Sequence, residues 1–511
     1  MSFLSALPRI IQGGMGVAVS DWRLANAVSR CGQLGVVSGS MLDTVFVRRL
    51  QDGDPGAHLR RAIAAFPVSA VGDEILQRYF NPAGRAPGAP YKALPMYKQV
   101  VSAARQRVTV LANFVEVWLA KEGHDNPVGL NLLTKVQMPN LPSLYGAMLA
   151  GVDVVIMGAG IPREIPGALD ALANHRPTEL RFEIAGLPRE QNECLTFDPS
   201  PCLSRAITSV PLRRPAFLAV VSAASLATTL ARKSNGRVDG FVVEGPTAGG
   251  HNAPPRGELR LNDRGEPVYG ERDTVDHEKM RALGVPFWLA GGFGSPDGLR
   301  SALAVGATGI QVGTLFAFCE QSGLDPALRQ SVVASVASGT VQLRTDPRAS
   351  PTGYPFKIVE RAGDAERHAA RPRTCDLGYL RAAVRTAEGR VVYRCPAEPV
   401  DAYVSKGGDA ADTDGRRCLC NGLISTIGQP QRRPTLGFEE IPLVTSGDDL
   451  LSLAPFFAEH PRYTAEQVVR YLCDQEAFAA AYDVQTAGGT SNSGIPEVRT
   501  RRSATEPSRP V

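Results

Sequence analysis

The sequence predicts an α/β chain whose main part is a TIM-type (β/α)8 barrel, carrying a helical and loop insertion and a C-terminal extension. Three observations point there. Short apolar runs rich in β-branched residues alternate with amphipathic stretches through residues 1–360, the pattern of parallel strands joined by crossover helices. The runs are apolar throughout, as strands covered on both faces are. Gly-rich turns follow these runs all along the chain. That favours a barrel over a doubly wound open sheet, whose glycine fingerprint sits mainly after the first strand.

Taken in order, residues 8–12 (PRIIQ) read as a first strand running into the turn Gly13-Gly14-Met15-Gly16. Residues 22–31 have apolar positions at helical spacing, and 34–37 (LGVV) form the second strand. Residues 52–108 break the pattern: Pro, Gly and aromatics interleave, which reads as an inserted segment over the barrel mouth. Strands follow at 128–132, 152–157, 217–221, 238–243, 287–290 and 309–312, with helices at 141–150, 165–174, 222–233 and 298–305. Residues 252–276 are polar and rich in Gly and Pro, a long loop after a strand. Residues 361–485 turn charged and irregular, and 486–511 have the Ser, Thr, Arg and Pro content of a disordered tail.

Composition narrows the function classes. Hydrophobic residues are 43% and charged residues 21% of 511, a globular balance. The 55 basic and 51 acidic side chains leave a net charge of +4, without the clustered basic footprint of a nucleic-acid binder. No apolar run approaches membrane length and the first residues lack a signal pattern, so the expectation is a cytoplasmic protein with reduced thiols. Four of the nine cysteines, Cys375, Cys395, Cys418 and Cys420, fall close together in sequence. Four thiolates suit zinc or an iron–sulfur cluster, but the usual C-x2-C spacing is absent, and packed or free thiols remain the alternative. No metal is assigned.

Two motifs carry chemistry. In residues 288–316 a strand ends at Gly291-Gly292, a helix starts at Ser295 as N-cap with Pro296 behind it, and the next strand ends at Gly313-Thr314. Glycine turns at strand ends and helix starts bare backbone N–H groups to phosphate, and late barrel turns are where such sites sit. Ordinary turn glycines are the other reading of each pair alone. In residues 240–257 an apolar strand ends at Glu244, and Gly249-Gly250 then present His251. Glycines allow backbone to approach a flat ligand, and a histidine at a strand's catalytic end titrates near neutrality, fit for acid/base work. A surface-loop histidine is the plainer alternative.

Together, IIQGGMG near the start, GLNLL at 129–133, AGGH at 248–251, AGGFG at 290–294 and QVGTLF at 311–316 resemble the nitronate monooxygenase family, which includes flavin-dependent enoyl-acyl-carrier-protein reductases. The motifs stand in the family's order and cover roughly residues 8–360. The resemblance implies FMN as cofactor. It implies Gly13, Gly14, Met15 and Asn131 beside the flavin ring, Glu244, Gly249 and Gly250 lining it, and Gly291, Gly292, Gly313 and Thr314 on its phosphate. His251 matches the family's acid/base. The implied activity is oxidation of nitronates or nitroalkanes with O2. An NAD(P)H-dependent enoyl-thioester reductase is the alternative, and a flavin- or phosphate-binding protein without turnover is a reading from another class. The oligomeric state is not readable. Weaker candidates are Asp153, Glu164 and the turn 157–160, the group Glu116, Lys121, Glu122 and His124, and Lys357.

Overall fold

Eight parallel strands form the centre: β1 (Ile10–Gln12), β2 (Gly35–Ser38), β3 (Val128–Leu133), β4 (Val154–Gly158), β5 (Ala216–Val221), β6 (Gly240–Glu244), β7 (Phe287–Ala290) and β8 (Gly309–Val312). In the computed structural model, which describes residues 6–188, 190–202 and 210–473, each strand pairs with the next in sequence, and β8 returns to β1. The seam between β1 and β2 is closed by backbone bonds, Gln12 N–H to Leu34 O at 2.9 Å and Leu34 N–H to Ile10 O at 3.1 Å. The Gln12 side chain adds to the seam by accepting from Val36 N–H at 3.0 Å. The fold is a TIM barrel. The tail at 486–511 lies outside the described residues.

The pleat explains why the strands read as continuous apolar runs. Along β4, Val154 and Ile156 point inward and join Ile11, Val36, Leu218, Val242 and Trp288 in one core. Val155 and Met157 point outward into a second, larger core beneath the helices. Both faces of β4 are dry and apolar. Trp288 fills the barrel interior and satisfies its indole by donating to Pro8 O at 2.8 Å.

Local signals set the helices. Asp21 caps Trp22–Arg30 by accepting from Arg23 and Leu24 N–H, and Leu24, Ala25 and Val28 form its buried stripe. Ser295 caps Pro296–Ala304 through Gly298 N–H, with Pro at the first turn as its sequence predicts. The segment after β2 carries the helices Leu42–Gln51, His58–Ala64 and Ser69–Tyr79 before Ala103–Ala120 leads into β3. Between β4 and β5 stands an antiparallel hairpin, Thr178–Phe182 with Glu193–Phe197, that the pattern does not announce.

The chain beyond residue 360 returns to the barrel. Tyr379 is buried on Asp43 and Thr44, and Asp43 is also paired with Arg105 at 2.8 Å. Gln431 and Tyr91 exchange bonds at 3.0 and 3.1 Å, joining the extension to the insertion. Helix Ala465–Cys473 and the residues before it complete the outer core: Leu450, Phe457, Tyr463 and Val468 sit in one cluster with Leu315 and Phe316. Tyr463 donates to Leu315 O at 2.8 Å.

Candidate active site at the barrel mouth

The twelve residues singled out from sequence line one cavity of about 260 Å³ at the carboxyl ends of the strands: Gly13, Gly14, Met15, Asn131, Glu244, Gly249, Gly250, His251, Gly291, Gly292, Gly313 and Thr314. This is the end of a parallel barrel where loops from different strands converge.

The turn after β1 is locked from beneath. Gly13 N–H donates to Val312 O at 2.8 Å, Ser20 Oγ donates to Gly13 O at 2.8 Å, and Met15 N–H donates to Ser20 Oγ at 2.9 Å. Gly14 lies so close to β3 that a Cβ there would stand 2.2 Å from the Cβ of Asn131. Across the mouth, Gly291 and Gly292 hold φ of 87° and 76°, left-handed values that glycine adopts without strain.

His251 is held by its ring. Nε2 lies 2.7 Å from Ser350 Oγ, and Phe356 packs edge-on with centroids 4.8 Å apart. Its backbone is fixed too, since Lys357 N–H donates to Gly250 O at 2.9 Å and Gly250 N–H to Thr445 Oγ1 at 2.8 Å. Burial pushes the imidazole pKa down to about 4, so the ring is neutral at physiological pH and can accept a proton. The Glu244 carboxyl shifts the other way, up to about 7, also through burial. Both side chains line the cavity. Gln311 offers a further polar group: its Oε1 is buried, without a hydrogen-bond partner, on a residue that lines the cavity.

Residues 445–449 escape the motif reading and form a strap across the corner made by β7 and β8. The Thr314 hydroxyl donates to the Asp449 carboxylate, Gly447 N–H reaches Thr314 Oγ1 at 3.3 Å, and Asp448 N–H donates to Thr247 O at 2.9 Å. Burial raises the Asp449 carboxyl above its ordinary range. The strap also explains Lys357, which is buried with Nζ 2.7 Å from both Thr345 Oγ1 and Asp448. Lys357 supports the strap and does not line the cavity.

The other candidates go elsewhere. Lys121 pairs with Asp153 at 2.5 Å, and Asp153 accepts from Val128 N–H at 2.9 Å, at the amino ends of β3 and β4. His124 bonds Ala120 O at 2.9 Å, Glu116 holds Arg49 at 3.1 Å, and Glu122 holds Arg61 at 2.7 Å. Glu164 accepts from Arg181 N–H at 2.9 Å in an exposed position. Of the turn 157–160, Gly158 and Ala159 reach the cavity. No residue of the 52–108 insertion lines it; the extension does, through Leu380, Leu419, Cys420, Leu423 and the strap. Among the described residues, no helix is long and apolar enough to cross a membrane.

Against known proteins, residues 209–359 match the family described as nitronate monooxygenase. A nitronate monooxygenase of Pseudomonas aeruginosa is 29% identical over 195 residues, 38% of this chain and 49% of that protein. A probable nitronate monooxygenase of Bacillus subtilis is 33% identical over 103 residues, 20% of this chain and 28% of that protein. The chain thus spans half or less of the curated relatives it matches. Among solved structures, FabK from Thermotoga maritima overlays with a TM-score of 0.46 at 15% identity, covering 95% of this chain and 97% of that one. The overlay is too loose to carry argument, and the barrel rests on its own strand pairing. The stretch that matches the nitronate monooxygenase family, residues 209–359, runs from β5 through β8 and includes His251 and both late glycine corners.

Proposed function

We propose that the protein is an FMN-dependent oxidoreductase that oxidises nitronates or nitroalkanes with O2, with His251 as the acid/base. The observation that carries this reading is the convergence of His251, Asn131 and the four glycine turns on one cavity. The residues fit a flavin on two counts. Gly250 holds a φ of 77°, and a Cβ there would meet nothing within 4 Å, so the main chain of that turn is bare to a flat ring. The unpartnered Gln311 Oε1 is an acceptor suited to a ring N–H. FMN, when bound, supplies the electron-accepting ring.

The chain's own residues then divide the work. Gly13, Gly14, Met15 and Asn131 would border the ring on one side, and Glu244, Gly249 and Gly250 on the other. Gly291, Gly292, Gly313 and Thr314 would hold the phosphate through backbone N–H groups. His251, neutral above about pH 4, takes the substrate's α-proton on its ring while Ser350 fixes its orientation. A cytoplasmic setting belongs to the same reading.

The expected result is a purified protein with flavin absorbance, and a His251→Ala variant that keeps it while turnover of a nitronate falls by ~10²–10⁴-fold. Unchanged turnover would remove His251 from the reaction. Colourless protein that takes up no added FMN would overturn the cofactor assignment.

One observation favours the second reading, an NAD(P)H-dependent enoyl-thioester reductase. Val17, Met41, Leu133, Val136, Leu380 and Leu423 make one wall of the cavity aliphatic, enough for an acyl chain. Consumption of NADH that depends on an enoyl thioester, and not on a nitronate, would select it.

A further inference from the structure

We propose that Cys375, Cys395, Cys418 and Cys420 form a site for one thiophilic cation of the zinc class, set in the wall behind the barrel mouth. The four residues come from three separate stretches of the extension, yet the fold brings them to a single small cavity of about 10 Å³. That volume is about one water-sized sphere, which suits one ion and not a multi-iron cluster. All four are free thiols in the structure. Cys375 and Cys395 lie near enough to interact, and Cys420 interacts electrostatically with both Cys375 and Cys418.

Polar donors stand beside the buried sulfurs. Ala397 N–H lies near the Cys395 sulfur. Tyr379 and Leu380 N–H lie near the Cys420 sulfur. Asn421 offers the Cys418 sulfur both its backbone N–H and its side-chain amide, the latter at 3.6 Å. Arg371 and Arg381 lie near enough to interact with Cys418 and Cys375. A buried cysteine that serves only as a small hydrophobe needs none of these donors. Thiolates bound to a cation do, since N–H groups around the sulfurs offset the charge of four anionic ligands.

Among the described residues, no three histidine, cysteine, aspartate or glutamate side chains stand placed to hold a metal ion as they are. Binding therefore requires the thiols to rotate inward to the ~2.3 Å of a zinc–sulfur bond and to release their protons. Cys420 lines both this cavity and the barrel mouth, on the helix Leu419–Ser425, so a bound cation would brace that wall.

The test uses the full chain purified under reducing conditions without chelator. Elemental analysis is expected to find about one zinc per chain, released by a thiol-reactive mercurial. Cobalt(II) exchanged into the same protein should give the intense visible bands of a tetrahedral thiolate centre. Cys375→Ser and Cys420→Ser should each abolish the zinc and the cobalt bands, while Cys31→Ser leaves both intact. Protein that neither carries nor takes up zinc when reduced would overturn the proposal. So would iron with labile sulfide, a Cys375–Cys395 disulfide in freshly reduced protein, or cobalt spectra without thiolate bands. The cobalt spectrum of the unmodified chain decides the matter even if the variants fail to fold.

Discussion

Glu244 and Asp449 are carboxyls that burial holds above their ordinary range, and each makes its own prediction. For Glu244 the folded pKa of about 7 lies above the unfolded value of 4.5. Its contribution to stability is therefore complete below 4.5 and lost as pH rises through about 7. Glu244→Gln should raise the stability of cofactor-free protein above pH 7 by about 1–2 kcal/mol, allowing for water in the cavity, and change nothing near pH 4. Thermal melts across that range check it. Asp449 sits on Thr314, in the corner proposed for the phosphate. As pH rises its carboxyl ionises and repels that phosphate, so FMN should bind less tightly at higher pH. Asp449→Asn should bind FMN about tenfold more tightly near neutrality and lose most of that slope, read from flavin fluorescence titrations.

Single elements decide how the mouth is shaped. The glycine corners were legible in the sequence because a positive φ or a close backbone approach leaves a residue-level trace, as at Gly291, Gly292 and Gly14. The strands were legible because β4 and its neighbours are dry on both faces. The strap 445–449 was not. Nothing local in TSGDD reports that Asp449 meets Thr314, because that contact is made by the return of a distant segment and not by any periodicity. The hairpin at Thr178–Phe182 escaped for a related reason: it packs a mixed, half-exposed sequence that imitates loop. Gly249 ties the two kinds of element together. A Cβ there would lie 2.7 Å from the carbonyl carbon of Ser446. Gly249→Ala should push the strap away and speed flavin loss severalfold, while the far-UV circular dichroism of the barrel stays unchanged.

For the whole molecule, barrel and extension share one core. Leu450, Phe457, Tyr463 and Val468 pack with Leu315 and Phe316. A chain cut after residue 360 loses these partners and the buried Tyr379 that satisfies Asp43. Such a truncation should be insoluble or molten, as judged by loss of near-UV dichroism and by dye binding, and should not survive as an independent barrel.

The strap has a consequence for how the protein is born. Strands and glycine corners leave the ribosome well before residues 445–449 do, so a nascent barrel has the corner proposed for the phosphate unroofed on one side. Retention of a nucleotide is then an event of the finished chain, and ribosome-stalled fragments ending short of the strap should let their flavin go.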